Sequence, residues 1–207
     1  MFMKIQRQVH KLFPTVVSVY KNPDTSFHKE IIDVCKQHTM RTSKDNFLQT
    51  TNDLHKTGLT SVVDNFVLDC CDDYLRVMGY FRDALEIKSS WANISSAQIA
   101  THSPHVHTNS LLSAVYYLST PENCGGIYFN HPNQQTLCLE PDVEQVTLLN
   151  QTSAEIVPEE GMCIVFRATT IHGTTPNNLL TDQERINIAY DISMPNIGKR
   201  RYQSGYA

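Results

Sequence analysis

The chain is expected to fold as an α+β domain, helices first and a β-sandwich or jelly roll after them. Three observations predict this. Apolar residues recur at helical spacing only in the first ninety residues. From Trp91 onward short β-type segments follow one another, with Pro, Gly, Asn and Asp between them. Helices segregated ahead of strands imply helices packed on a sheet rather than alternating with it.

In chain order, Leu12–Tyr20 reads as a short strand. Asp24, Thr25 and Ser26 are positioned to cap a helix carrying Phe27, Ile31, Val34 and Cys35 on one face. Residues 40–58 are polar and read as irregular. A second helix is predicted from about Thr60 to Met78, with Phe66, Cys70, Tyr74 and Met78 as a core stripe and Gly79 to end it. Strands are expected near 91–99, 104–108, 111–119, 126–131, 136–140, 144–150, 154–157, 162–167, 170–174 and 185–193. This gives a single domain over 1–207: a helical part at 1–90, a β core at 91–194 and a basic tail at 195–207 that holds Lys199, Arg200 and Arg201.

The 207 residues carry a net charge of −4, so no broad basic surface for nucleic acid is expected. No signal-peptide pattern and no bilayer-length apolar run is apparent, which suggests a cytoplasmic protein with no membrane partner. The six cysteines contain no CxxC pair and read as buried reduced thiols. No sequence pattern points to a particular substrate or oligomeric state.

The chemistry-bearing residues are histidines. His105 and His107 are two apart, so on a strand both face one way. His172 lies in a turn between two strong strand patterns, and Arg185 opens the second of them. Three neutral imidazoles suit zinc, copper, iron or nickel. A lone His-x-His is more often one buried and one exposed histidine. His102 is a rival ligand that would face away from His105 on a regular strand, although Pro104 interrupts regularity. His131, in Phe-Asn-His131-Pro, reads as a turn residue.

The ordered set His105-Val-His107, Ser113-Ala-Val-Tyr-Tyr117-Leu, Gly125-Gly, Pro158-Glu-Glu-Gly161 to Phe166, His172-Gly and Arg185-Ile-Asn-Ile-Ala resembles the Fe(II)/2-oxoglutarate-dependent oxygenases, in their prolyl-hydroxylase-like branch. With Leu12-Phe-Pro-Thr, Asp53-Leu-His55 and Ser90-Trp-Ala-Asn93 added, the chain looks closest to a 2OG-Fe(II) oxygenase family found in bacteria and tailed phages. The resemblance implies a double-stranded β-helix, that is, a jelly roll, with N-terminal helices buttressing it. It implies Fe(II) on His105, His107 and His172, 2-oxoglutarate as cosubstrate on Arg185, and O2 as oxidant. Tyr117, Ser113, Asn187 and Asn93 would line the cosubstrate pocket; Tyr117 as a plain core aromatic and Asn93 as a satisfied strand amide are equally open. The resemblance further implies a hydroxylase that releases succinate and CO2, in host cytoplasm if phage-encoded. Two positions depart from the pattern: His107 stands where a carboxylate is usual, and Asn187 where Ser or Thr is frequent. A three-histidine dioxygenase of cupin type without 2-oxoglutarate, and a non-catalytic metal-binding jelly roll, are the competing readings.

Overall fold

A computed structural model describes residues 7–10, 12–38, 41–42, 48–51, 53–80, 83–96, 101–132 and 141–195. Cys138, the expected strand at 136–140 and the basic tail from 196 lie outside the described residues.

The first strand, β1 (Val17–Lys21), starts later than the Leu12–Tyr20 pattern suggests. Helix α1 (His28–Gln37) follows. Asp24, Thr25 and Ser26 do not cap it through side chains on its first turn. Asp24 Oδ1 instead accepts the Ser26 N–H at 2.9 Å, and the Thr25 carbonyl accepts the His28 N–H at 3.0 Å. The Asp side chain closes its own turn, which competes with capping. Residues 40–58 are not wholly irregular: they hold β2 (Arg41–Thr42), β3 (Leu48–Gln49) and a 3-10 turn at Leu54–Thr57. Helix α2 (Ser61–Val77) ends as its sequence predicts. Gly79 takes a left-handed φ of 69°, and the Tyr80 N–H reaches back to the Leu75 carbonyl at 3.0 Å.

The remaining strands are β4 (Glu86–Ser95), β5 (Leu112–Ser119), β6 (Ile127–Asn130), β7 (Ser153–Ile156), β8 (Met162–Arg167), β9 (His172–Thr174) and β10 (Arg185–Ser193). They form a seven-stranded sheet in the order β1-β8-β5-β10-β4-β3-β2 and a three-stranded sheet in the order β7-β6-β9. All strand pairs are antiparallel. The N-terminal ninety residues therefore contribute strands to both edges of the large sheet as well as two helices.

Two expected strands are absent. The 104–108 segment makes only an isolated bridge between His105 and His172. Pro104 has no N–H to extend a ladder, and the His107 N–H goes to the Ala168 carbonyl at 2.8 Å. Residues 144–150 form turns. The Asn150 side chain accepts the Thr147 N–H at 2.6 Å, and Val146, Leu148 and Leu149 are exposed, so alternation there buries nothing.

The large sheet is buried on both faces. On β10, Ile186, Ile188, Tyr190 and Ile192 turn to one side and share a core with Val63, Val67 and Leu75 of α2 and Ile31 and Cys35 of α1. On the other side, Tyr117, Ile164 and Phe166 pack with Ile127 and Phe129 of the small sheet. Phe129 meets Phe166 edge-on at 5.0 Å between ring centroids. Each such buried apolar side chain contributes about 1.5–3 kcal/mol. Cys35, Cys70, Cys71, Cys124 and Cys163 are buried and free, as their spacing suggests.

One polar tie crosses the helix-side core. Tyr190 donates to Asp64 Oδ1 at 2.8 Å, and Thr60 donates to Asp64 Oδ2 at 3.0 Å. Burial raises the Asp64 pKa, and these two donors and His55 oppose it. Tyr190→Phe removes one donor and leaves a buried acceptor short of a partner. Urea unfolding is expected to show a loss of about 1–3 kcal/mol; no loss would mean that the tie is dispensable.

Candidate metal centre

The site forms between the two sheets because alternation on three adjacent strands points selected residues inward. On β10 these are Arg185, Asn187, Ala189 and Asp191; on β5, Ser113, Val115 and Tyr117; on β4, Ser89, Trp91 and Asn93. Register places Asn187 beside Asn93 on one flank and Tyr117 on the other. Asp191 pairs in the same way with Ser89 and Ser113.

His105, His107 and His172 each bring one ring nitrogen within 4.8 Å of the others. That is near enough for one ion to draw them into its coordination sphere. The rings contact one another directly, His105 and His172 with centroids 4.4 Å apart, His107 and His172 5.2 Å apart. The backbone sets this geometry: His105 and His172 exchange N–H to carbonyl bonds of 3.0 and 3.1 Å. Gly173, next to His172, leaves no room for a side chain, since a Cβ there would lie 2.6 Å from the His102 carbonyl oxygen.

The tautomers follow from the partners. His105 Nδ1 is 2.8 Å from the Ser103 carbonyl and His172 Nδ1 is 2.9 Å from the Thr170 carbonyl. A carbonyl only accepts, so both Nδ1 atoms carry the proton, and in the neutral ring Nε2 keeps the lone pair. His107 Nδ1 is 2.7 Å from Asp191 Oδ1. A bare nitrogen lone pair would repel a carboxylate at that distance, so this Nδ1 is protonated too. Among the described residues no donor is aligned on Oδ1, so the contact is that of an ion pair rather than a straight hydrogen bond. Burial drives the His172 pKa down to about 3, against the Thr170 hydrogen bond and with help from the neighbouring histidines. It is thus neutral at any ordinary pH, the form that binds metal.

Arg185 is almost completely buried and lines the same cavity, as do Ser113, Tyr117, Asn93 and Asn187. Its Nη1 donates to the Cys124 carbonyl at 2.8 Å. Ser113 Oγ is buried with no hydrogen-bond partner among the described residues. Asn93 is held on both sides: Gln49 donates to its Oδ1 at 2.6 Å, and its Nδ2 donates to Asn187 Oδ1 at 3.0 Å. Burial raises the Tyr117 pKa, with Arg185 opposing. All eight residues singled out in the sequence therefore meet in one cavity. His102 also lines it, 5.8 Å from His105 between ring centroids, but is outside the three-nitrogen cluster. His131 lies elsewhere, its N–H bound to the Thr152 carbonyl at 2.8 Å.

Sequence reasoning missed Asp191, Trp91 and Phe166. Trp91 stacks on His107 at 6.0 Å, and Phe166 meets His172 edge-on at 4.6 Å. For Asp191 the signal was present: it is the fourth inward position of β10, in step with 185, 187 and 189. Burial raises its pKa, but the His107 contact, with Ser89 and Ser110, outweighs that and keeps it below the usual carboxylate value.

The donor set fits a divalent transition metal: three imidazoles whose Nδ1 atoms are each held by an acceptor, with a buried cation nearby for an anionic co-ligand. Among the described residues no helix is long and apolar enough to cross a membrane.

Several solved structures share the fold. HygX from Streptomyces hygroscopicus, with nickel and 2-oxoglutarate bound, aligns with a TM-score of 0.59 at 13% identity, over 87% of this chain and 84% of that one. A Pseudomonas putida prolyl-4-hydroxylase aligns at 0.57 and 10% identity, over 87% and 93%. The epimerase SnoN, in complex with Fe3+, alpha ketoglutarate and nogalamycin RO, aligns at 0.62 and 13% identity, over 87% and 79%. Among curated proteins none matches. Residues 89–191 match the family described as "Putative 2OG-Fe(II) oxygenase", which spans all three histidines and Arg185. Residues 89–191 are a domain of the 2OG-Fe(II) oxygenases, a family of enzymes that work with Fe(II), 2-oxoglutarate and O2.

Proposed function

We propose that the protein hydroxylates a C–H bond of its substrate, consuming 2-oxoglutarate and O2 and releasing succinate and CO2. The observation that supports this reading best is the convergence of three imidazoles and a buried guanidinium in one cavity. In this reading His105, His107 and His172 hold Fe(II). Iron so held supplies O2 activation coupled to decarboxylation of the oxo acid. Three protein ligands would leave coordination positions for the cosubstrate and O2.

The chain's own residues bind and orient. Arg185 takes the distal carboxylate of 2-oxoglutarate, because its fork matches a carboxylate and its charge cannot be lost. Ser113 and Tyr117 offer hydroxyls on the adjacent strand. Asn187 and Asn93 form the polar wall beside them, and their mutual hydrogen bond keeps both amides fixed. Ile127 and Phe166 line the other side and exclude water, which favours a single reaction outcome.

HygX binds nickel and 2-oxoglutarate, and SnoN binds Fe3+ and alpha ketoglutarate. Neither names a substrate for this chain. SnoN is an epimerase and SnoK a carbocyclase, so hydroxylation is one of several outcomes on this fold.

The test is anaerobic addition of 2-oxoglutarate to Fe(II)-loaded protein. A visible charge-transfer absorption should appear, and admission of O2 should yield one succinate per oxo acid consumed. Metal binding without either signal would favour the three-histidine dioxygenase that uses no oxo acid.

A further inference from the structure

The three histidines differ in what holds the ring nitrogen that points away from the cluster. For His105 and His172 it is a backbone carbonyl. For His107 it is the carboxylate of Asp191, at 2.7 Å. Both side chains are largely buried, His107 at 14% and Asp191 at 19% exposure, so the contact is poorly screened. The second carboxylate oxygen is fixed by Ser89, which donates to it at 2.9 Å from the neighbouring strand. Burying a carboxylate is costly unless charge or donors compensate it. The ion-pair contact found for Asp191 among the described residues is with His107.

This arrangement puts one negative charge behind one ligand of a set that otherwise has none. We propose that Asp191 is a positioning residue for the metal centre, acting through His107 to supply the negative charge that the three imidazoles lack. It holds the proton on Nδ1, turns Nε2 toward the ion, and makes His107 a more basic ligand than a carbonyl-held imidazole would be. Ser89 sets the carboxylate, the carboxylate sets the ring, and the ring meets the metal. The inference rests on the reading that His105, His107 and His172 bind metal.

A merely structural Asp191, tying β10 to β4 through Ser89, is the alternative. Calorimetric titration with Mn(II), a redox-stable probe, separates the two, using wild type, Asp191→Asn, Asp191→Ala and His172→Ala. Nitrogen NMR of the histidine rings in metal-free protein gives a readout independent of activity. Wild-type His107 should appear as the Nδ1–H tautomer, and Asp191→Ala should lose that preference. Mn(II) affinity should fall about 10- to 100-fold in Asp191→Ala. Asp191→Asn keeps shape and an accepting oxygen but no charge, so it should fall between wild type and alanine. If Asp191→Ala proves unstable, the near-isosteric asparagine variant decides alone. Full affinity in Asp191→Asn and in any folded Asp191→Ala, with affinity lost in His172→Ala, would overturn the role of Asp191 and leave the metal site standing. No Mn(II) binding by wild type would overturn both.

Discussion

His172→Ala is expected to abolish the stabilisation that a divalent metal confers on this protein. His172 is the most buried of the three histidines, at 6% exposure, and its ring touches both of the others. Loss of a partner behind a ligand costs about 10- to 100-fold in metal affinity; loss of the ligand itself should exceed the upper figure. The consequence can be read without turnover. Metal at about 100 times its Kd stabilises a folded protein by about 2.7 kcal/mol. For a chain of this size that is a rise of roughly 5–10 °C in Tm. Wild type should show that rise with Mn(II) and lose it with chelator, and the variant should melt at one temperature in both. His172→Gln, closer in volume, controls for the cavity that alanine leaves. An unchanged metal-dependent shift in both variants would remove His172 from the ligand set.

How much of this was legible in the sequence varies with the kind of signal. The expected strands at 162–167 and 185–193 coincide with β8 and β10, because their apolar runs are flanked by turn residues and sit where the large sheet is buried on both faces. Gly79 marked the end of α2 because only a left-handed residue closes that turn. The segment carrying His105 and His107 alternates like a strand, yet what fixes it is a backbone bridge to His172 and the bond from the His107 N–H to the Ala168 carbonyl. Local alternation cannot report a pairing made with a residue sixty-seven positions away. The segment 144–150 failed for the opposite reason: its alternation is real, but nothing packs on it. Asp191 lies eighty-four positions from His107 along the chain, so their contact is invisible to local spacing. It approaches through β10, whose alternation carries position 191 to the same face as Arg185 and Asn187.

That same face makes Arg185 the most informative residue to change. It is 1% exposed, and a buried cation is expensive unless an anion shares its site. Under the proposed function the anion is the distal carboxylate of 2-oxoglutarate. Removing one partner of a buried, hydrogen-bonded charge pair costs about 2–5 kcal/mol of binding. Arg185→Met should therefore raise the Kd for 2-oxoglutarate by roughly 30- to several-thousand-fold. Arg185→Lys keeps the charge but loses the fork, so its loss should be smaller. Mn(II) affinity without oxo acid should stay near wild type in both, since no guanidinium binds the ion. Stability should move the other way from binding. Replacing a buried charge by an apolar chain of similar volume is often neutral or stabilising, so Arg185→Met is expected to melt no lower than the ligand-free wild type. A variant that fails to bind 2-oxoglutarate only because it has unfolded would lose the Mn(II)-dependent rise in Tm as well. Retention of that rise together with loss of oxo-acid binding assigns Arg185 to the cosubstrate, whereas unchanged oxo-acid affinity in a folded Arg185→Met would withdraw it from that role.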